Sequence, residues 1–128
     1  MANYTILIVE DNSLNMELAT DVLEAAGFTV MQAGTAEQGI EQANAGRPDL
    51  ILMDVALPGM DGLSATRLLK KDPHTCQIPV VVLTAHAMKG DERMAYEAGG
   101  TGYLTKPINT RTFPAAIAAY LLDHPAGG

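Results

Sequence analysis

The sequence predicts an α/β fold built on one doubly wound, five-stranded parallel sheet, and three observations carry that prediction. Four short apolar runs stand out along the chain: Ile6-Leu7-Ile8-Val9, Phe28-Thr29-Val30-Met31 (the weakest), Leu50-Ile51-Leu52-Met53 and Val80-Val81-Val82-Leu83, with a shorter fifth at Gly102-Tyr103-Leu104. Continuous rather than alternating apolar runs mark strands covered on both faces, as in parallel sheets. Segments of helical periodicity lie between them, so strand and helix alternate five times with short connections. Such alternation implies right-handed crossovers with helices on both faces of a single sheet.

Each helix has its own start and stop signals. Residues 13–26 place Leu18, Ala19, Val22, Leu23 and Ala26 on one face, with Ser13 able to cap the start and Gly27 the end. Residues 35–45 form a second helix, with Thr35 as N-cap and Gly46 just past the end. Residues 63–71 turn Ala65, Leu68 and Leu69 inward and stop before Asp72-Pro73. Residues 87–98 end at Gly99-Gly100. The fifth helix, 110–122, ends before Pro125. Pro114, at about its fourth position, is tolerated because first-turn N–H groups have no helical partner.

Length and composition bound the function. A chain of 128 residues suits one domain, 1–128, with a core of about 4–122 and a flexible tail at 123–128. Hydrophobic residues make up 48%, enough for a packed core. No apolar run approaches the roughly 18–20 residues of a membrane span, and the first ten residues read as a strand rather than a secretion signal. A cytoplasmic location is the default expectation. Cys76 is the single cysteine, so an intrachain disulfide is excluded. The net charge of −7 argues against a general nucleic-acid binder. That excess lies wholly before Arg47, where seven acids meet no Lys or Arg.

In an open parallel sheet, chemistry collects at the carboxyl ends of the strands. The polar residues that follow the apolar runs are Glu10 and Asp11 after the first, Asp54 after the third, Thr84 after the fourth and Lys106 just past the fifth. All five converge on one edge. Three carboxylates brought together repel unless a cation lies between them. Mg²⁺, which prefers oxygen ligands and keeps several waters, relieves that repulsion. An aspartate carboxylate can attack phosphorus, and a Lys and a hydroxyl can hold the transferring group. Asp54 is the central acid, Lys106 the cation and Thr84 the hydroxyl.

The blocks ILIVEDN at 6–12, DLILMDVALPGMDG at 49–62, VVVLTAHAM at 80–88 and YLTKPI at 103–108 resemble the receiver domains of two-component response regulators. Spacings of 43 residues from Asp11 to Asp54, 30 on to Thr84 and 22 on to Lys106 match that family. Within it, the first helix and the run after Thr84 are most similar to single-domain cell-cycle regulators and to the receivers of hybrid histidine kinases. The resemblance implies a flavodoxin-like strand order, 2-1-3-4-5. It implies that Asp54 accepts a phosphoryl group from a phosphohistidine of a sensor histidine kinase or histidine phosphotransfer protein. Asp11, Asp54 and the carbonyl of Ala56 would ligate Mg²⁺ directly, and Glu10 would act through a water. Lys106 would contact the acyl phosphate, with Pro107 following a cis peptide bond. Thr84 would bind the phosphate and, by moving, let Tyr103 rotate inward, changing the surface shown to a downstream protein partner. Nucleic acid and membrane are not expected partners.

Plainer readings exist for several of these residues. Glu10 and Asp11 can cap a helix, Thr84 can be an ordinary strand-end hydroxyl, and Tyr103 a static packed aromatic. Gly59 and Gly62 read as turn residues beside the site. Met53, Met88 and Met94 read as core fillers. His74 and His124 read as surface residues. His86 and Ala56, each two residues past a site residue, lie in this family near the path of attacking water. Leu14 reads as an exposed apolar residue on the kinase-docking face, and Lys89, Arg93 and Tyr96 as a face open to an output partner. The sequence also admits a pseudo-receiver that binds partners without phosphorylation, or a receiver cut from a hybrid kinase. An aspartate-nucleophile phosphatase of the haloacid-dehalogenase type would need a second acid at position 56, which is Ala. A turnover enzyme is therefore not expected.

Overall fold

The computed structural model of the protein describes residues 4–84, 89–106 and 108–123, with side chains left aside at 89–92 and 123. Five strands and five helices alternate: β1 (Thr5–Val9), α1 (Ser13–Ala25), β2 (Thr29–Ala33), α2 (Ala36–Gly46), β3 (Leu50–Asp54), α3 (Gly62–Lys71), β4 (Val80–Thr84), α4 (Lys89–Glu97), β5 (Gly102–Thr105) and α5 (Phe113–Asp123). All strand pairs are parallel, in the order β2-β1-β3-β4-β5. This is the doubly wound sheet and the strand order expected from the sequence.

The period-2 geometry of a strand divides each apolar run between two cores. Leu7, Val9, Ile51, Met53, Val80 and Val82 face Ala36, Ala43, Ala65, Leu69 and Ala95 on one side. Ile6, Ile8, Leu50, Leu52, Val81 and Leu83 face Ala19, Leu23, Phe113, Ile117 and Leu121 on the other. Every residue of β3 and β4 is buried. β2 lies at the sheet edge and is only partly covered, which explains its weak apolar signal.

Local details depart from the sequence reading in instructive ways. Asn12, not Ser13, caps α1, its side chain accepting from the Asn15 N–H. Thr35 caps α2 as expected. Arg47, rather than Gly46, takes the left-handed conformation at the end of α2, with φ 43°. Gly46 is the last residue of α2, and a Cβ there would lie 2.6 Å from the Met31 Cε, the movable end of a flexible side chain. α5 starts at Phe113, so Pro114 is its second residue. The chain before it is a turn in which the Asn109 carbonyl accepts from the Thr112 and Phe113 N–H groups. α5 runs through Asp123, one residue past the expected core.

Leu18 and Leu68 are 42% and 46% exposed, and Met94 is exposed rather than a core filler. Met53 is fully buried. His74 is exposed, its Nδ1 3.2 Å from Arg47 Nη2. His86, Met88, Pro107 with its expected cis bond, His124 and the side chain of Lys89 lie outside the described residues.

Candidate phosphoryl-acceptor and metal site

Because the strands are parallel, their carboxyl ends form one edge, and the fold delivers each candidate residue there. Glu10 follows β1 directly and is tied down by its N–H, which donates to the Ala33 carbonyl at 3.0 Å. Asp54 is the last residue of β3 and Thr84 the last of β4. Lys106 follows β5, and its N–H donates to the Thr84 carbonyl at 2.8 Å. Glu10, Asp54 and Thr84 are 3%, 3% and 6% exposed, so three polar groups are buried at one spot. Buried polar groups at this density are expensive unless they satisfy one another.

The two carboxylates are satisfied through Lys106. Its Nζ lies 2.9 Å from Asp54 Oδ2 and 3.1 and 3.4 Å from the two Glu10 oxygens. The other Asp54 oxygen, Oδ1, accepts from the Ala56 N–H at 3.1 Å. Asp11 is exposed, yet one oxygen each from Glu10, Asp11 and Asp54 lie within 4.8 Å of one another. Ala56 sits on the loop immediately after β3. Tyr103 lies in β5 in register with Val82, half-buried against the core on the α3 side.

The electrostatics follow from this crowding. Burial pushes the Glu10 carboxyl up to about 7, and a hydrogen bond shared with Asp54 adds to the rise, while Asn15 and Lys106 oppose it. Asp54 moves the other way: burial raises it, but hydrogen bonds from Glu10, Lys106 and the Ala56 N–H outweigh burial and hold it below the ordinary carboxylate range. The proton of this pair therefore rests on Glu10 and leaves Asp54 as the anion. Burial alone would lower Lys106, but its two carboxylate partners reverse the sign and raise it. The result is an ionised aspartate held by an ammonium at the mouth of a sheet. The donor set is all oxygen, as a hard divalent cation requires.

Two residues that shape the site escape a reading of strand-end polar groups. Asn15 hydrogen-bonds Glu10 from the first turn of α1; the only hint in the sequence is an amide five residues after an acid. Gly62 is not a turn residue. It is the buried first residue of α3, capped by Asp61, whose Oδ1 accepts from the Ser64 N–H at 2.8 Å. Gly59, with φ 75°, is the turn glycine.

A sheet of this order, with an acid pair, a strand-end aspartate and a lysine converging on it, defines a receiver. The family model described as "Response regulator receiver domain" matches residues 6–118, and the chain belongs to that family of two-component signalling domains. Among individual proteins it is similar to the polar-differentiation response regulator DivK of Brucella anthropi, with 43% identity over 119 residues, 93% of this chain and 97% of that one. Solved structures agree. The receiver domain of the sensor histidine kinase PA1611 from Pseudomonas aeruginosa PAO1, which has a magnesium ion coordinated in its active-site cleft, superposes with a TM-score of 0.85 and 33% identity over 94% of this chain and 98% of that one. The chemotaxis protein CheY4 of Vibrio cholerae does so with a TM-score of 0.89 and 25% identity over 94% of this chain and all of that one. Among the described residues, no helix is long and apolar enough to cross a membrane.

Proposed function

We propose that the chain works as a single receiver unit whose Asp54 accepts a phosphoryl group from a phosphohistidine of a histidine kinase or histidine phosphotransfer protein. The observation that carries this reading is the Lys106 ammonium 2.9 Å from an Asp54 carboxylate that is 3% exposed and held in its ionised form. In the transfer, an Asp54 carboxylate oxygen forms the new P–O bond as the P–N bond to imidazole breaks. The imidazole nitrogen leaves with the electron pair and takes a proton from solvent. Lys106 remains beside the acceptor and offsets charge on the phosphoryl oxygens. Asp11, Asp54 and the Ala56 carbonyl, with Glu10 behind them, would hold Mg²⁺, which when bound supplies positive charge to the same oxygens.

Thr84 is assigned the hydroxyl contact to the phosphoryl group and, with Tyr103, the conformational response. An added charge of roughly −1.5 to −2 biases a two-state surface. That altered surface is what a downstream protein partner reads. Pro107 is assigned the turn that aims Lys106. Ala56 has no side-chain donor, so hydrolysis of the acyl phosphate receives no help from that position. The chain's chemistry is then limited to its own phosphorylation and dephosphorylation.

Incubation with Mg²⁺ and acetyl phosphate tests this. Intact mass should show one labile phosphoryl adduct, absent in Asp54→Ala and without the metal. A wild-type protein that takes up no phosphoryl group would return the chain to the pseudo-receiver reading. Continuous phosphate release from unrelated phosphoesters would point to a phosphatase.

A further inference from the structure

We propose that Gly62 is a positioning residue for the phosphoryl-acceptor site, a role that rests on the function proposed above. Gly62 begins α3 and is buried. Its φ lies outside the left-handed region, so freedom of the backbone is not why glycine stands here. Space is the reason. A Cβ at Gly62 would overlap the carbonyl oxygen of Asp54 and would lie 2.8 Å from the Asp54 carbonyl carbon and 3.0 Å from Met53 Cγ. The first residue of α3 thus rests directly on the peptide group of the acceptor aspartate.

One hydrogen bond crosses that contact, and one more on each side holds its two partners in place. The Gly62 N–H donates to the Val55 carbonyl at 3.1 Å, and the Val55 N–H donates in turn to the Leu83 carbonyl at 2.9 Å. Within α3, the fully buried Thr66 hydroxyl donates to the Gly62 carbonyl at 2.7 Å and so fixes the first turn. The start of α3 is thereby held against residues 54–56 by the Gly62 N–H bond and by its packing on the Asp54 carbonyl. Those residues carry the acceptor carboxylate, the N–H that holds Asp54 Oδ1 and the Ala56 carbonyl assigned to the metal. None of the crowding atoms is the far end of a flexible side chain that could swing away; the nearest are backbone. Adding a methyl group must then part α3 from the end of β3 by roughly 1 Å, and displacements of that size at a reacting centre cost on the order of 100-fold in rate.

The test compares three variants of the full chain. Gly62→Ala should shift the amide resonances of Asp54, Val55 and Ala56 in the metal-free protein. It should also weaken Mg²⁺ binding, followed by NMR titration with the metal alone, by about 10–100-fold, the usual loss when an outer support of a metal site is removed. Thr66→Val keeps the shape but removes the hydroxyl bond to Gly62, and should weaken Mg²⁺ in the same direction to a smaller extent. Gly100→Ala is the control. Its added Cβ would meet the Ala95 carbonyl oxygen at 2.8 Å, a milder clash with backbone at the opposite end of β5. It should lower stability and leave Mg²⁺ affinity unchanged.

The proposal is overturned if folded Gly62→Ala keeps wild-type amide shifts and Mg²⁺ affinity, or if Gly100→Ala loses as much affinity. Should Gly62→Ala fail to fold, wild-type Mg²⁺ affinity in Thr66→Val overturns it instead. A wild-type protein that fails to bind Mg²⁺ refutes the functional reading itself, and the proposal with it; the two failures are thereby told apart.

Discussion

Replacing Lys106 with methionine removes the ammonium that lies between Glu10 and Asp54 while keeping most of the side chain's apolar stem. Both carboxylates are nearly inaccessible, at 2% and 4% side-chain exposure, whereas the Lys106 side chain is 22% exposed. Removing one partner from a buried ion pair typically costs about 3–5 kcal/mol; water reaching the lysine end argues for the lower end of that range, about 3 kcal/mol. The loss must depend on pH. Without the ammonium, the two acids avoid repulsion by holding a proton more tightly, so the Glu10 pKa rises further from the wild-type value of about 7. A carboxyl raised in the folded state contributes stability that is fully present below its unfolded value, near 4.5, and lost as pH climbs through the folded value. Lys106→Met should therefore lose part of this at pH 5, where ionised Asp54 already lacks its ammonium, and the full amount at pH 8, where Glu10 is ionised as well. Urea unfolding followed by circular dichroism at the two pH values, without divalent cations, measures it. An equal loss at both pH values, or none at pH 8, would show that Lys106 does not neutralise this pair.

Three further outcomes are expected. In the metal-free wild-type protein, the Glu10 side-chain carbonyl carbon should titrate near 7 by NMR rather than near 4.5, and Glu10→Gln should abolish that transition. Ile117→Ala, at a fully buried position on the α1/α5 side of the sheet, should cost about 2–5 kcal/mol in urea unfolding, since the packed site cannot collapse around the lost atoms. Arg47→Gly should be neutral or stabilising by up to about 1 kcal/mol in the same assay, because a glycine adopts the φ of 43° without the penalty that a side chain incurs there.

The strand ends were the most legible part of the chain. Each buried run stops at its first polar residues, and parallel strands stop at the same edge, so Glu10, Asp54, Thr84 and Lys106 fall together there. Helix faces were less legible. Periodicity turns Leu18 and Leu68 inward, but each stands one residue, about 100° of arc, from the contact stripe through Ala19 and Leu69. A helix lying on a sheet buries a narrow band, and composition does not say where the band's edge falls. Gly62 was illegible for a different reason. It sits where glycine commonly turns the chain, yet it is present for space against the Asp54 carbonyl across the loop after β3. Asn15 acts on Glu10 through a side-chain contact that no periodicity reports.

The central claim is that one carboxylate, Asp54, receives the phosphoryl group. The most direct measurement treats the protein with acetyl phosphate and Mg²⁺, reduces it with borohydride and maps the peptides by mass spectrometry. Reduction of an aspartyl phosphate leaves homoserine, so homoserine is expected at position 54, with Glu10 and Asp11 recovered intact. Reduced product at Glu10 or Asp11, or phosphoryl uptake that persists in Asp54→Ala, would contradict it.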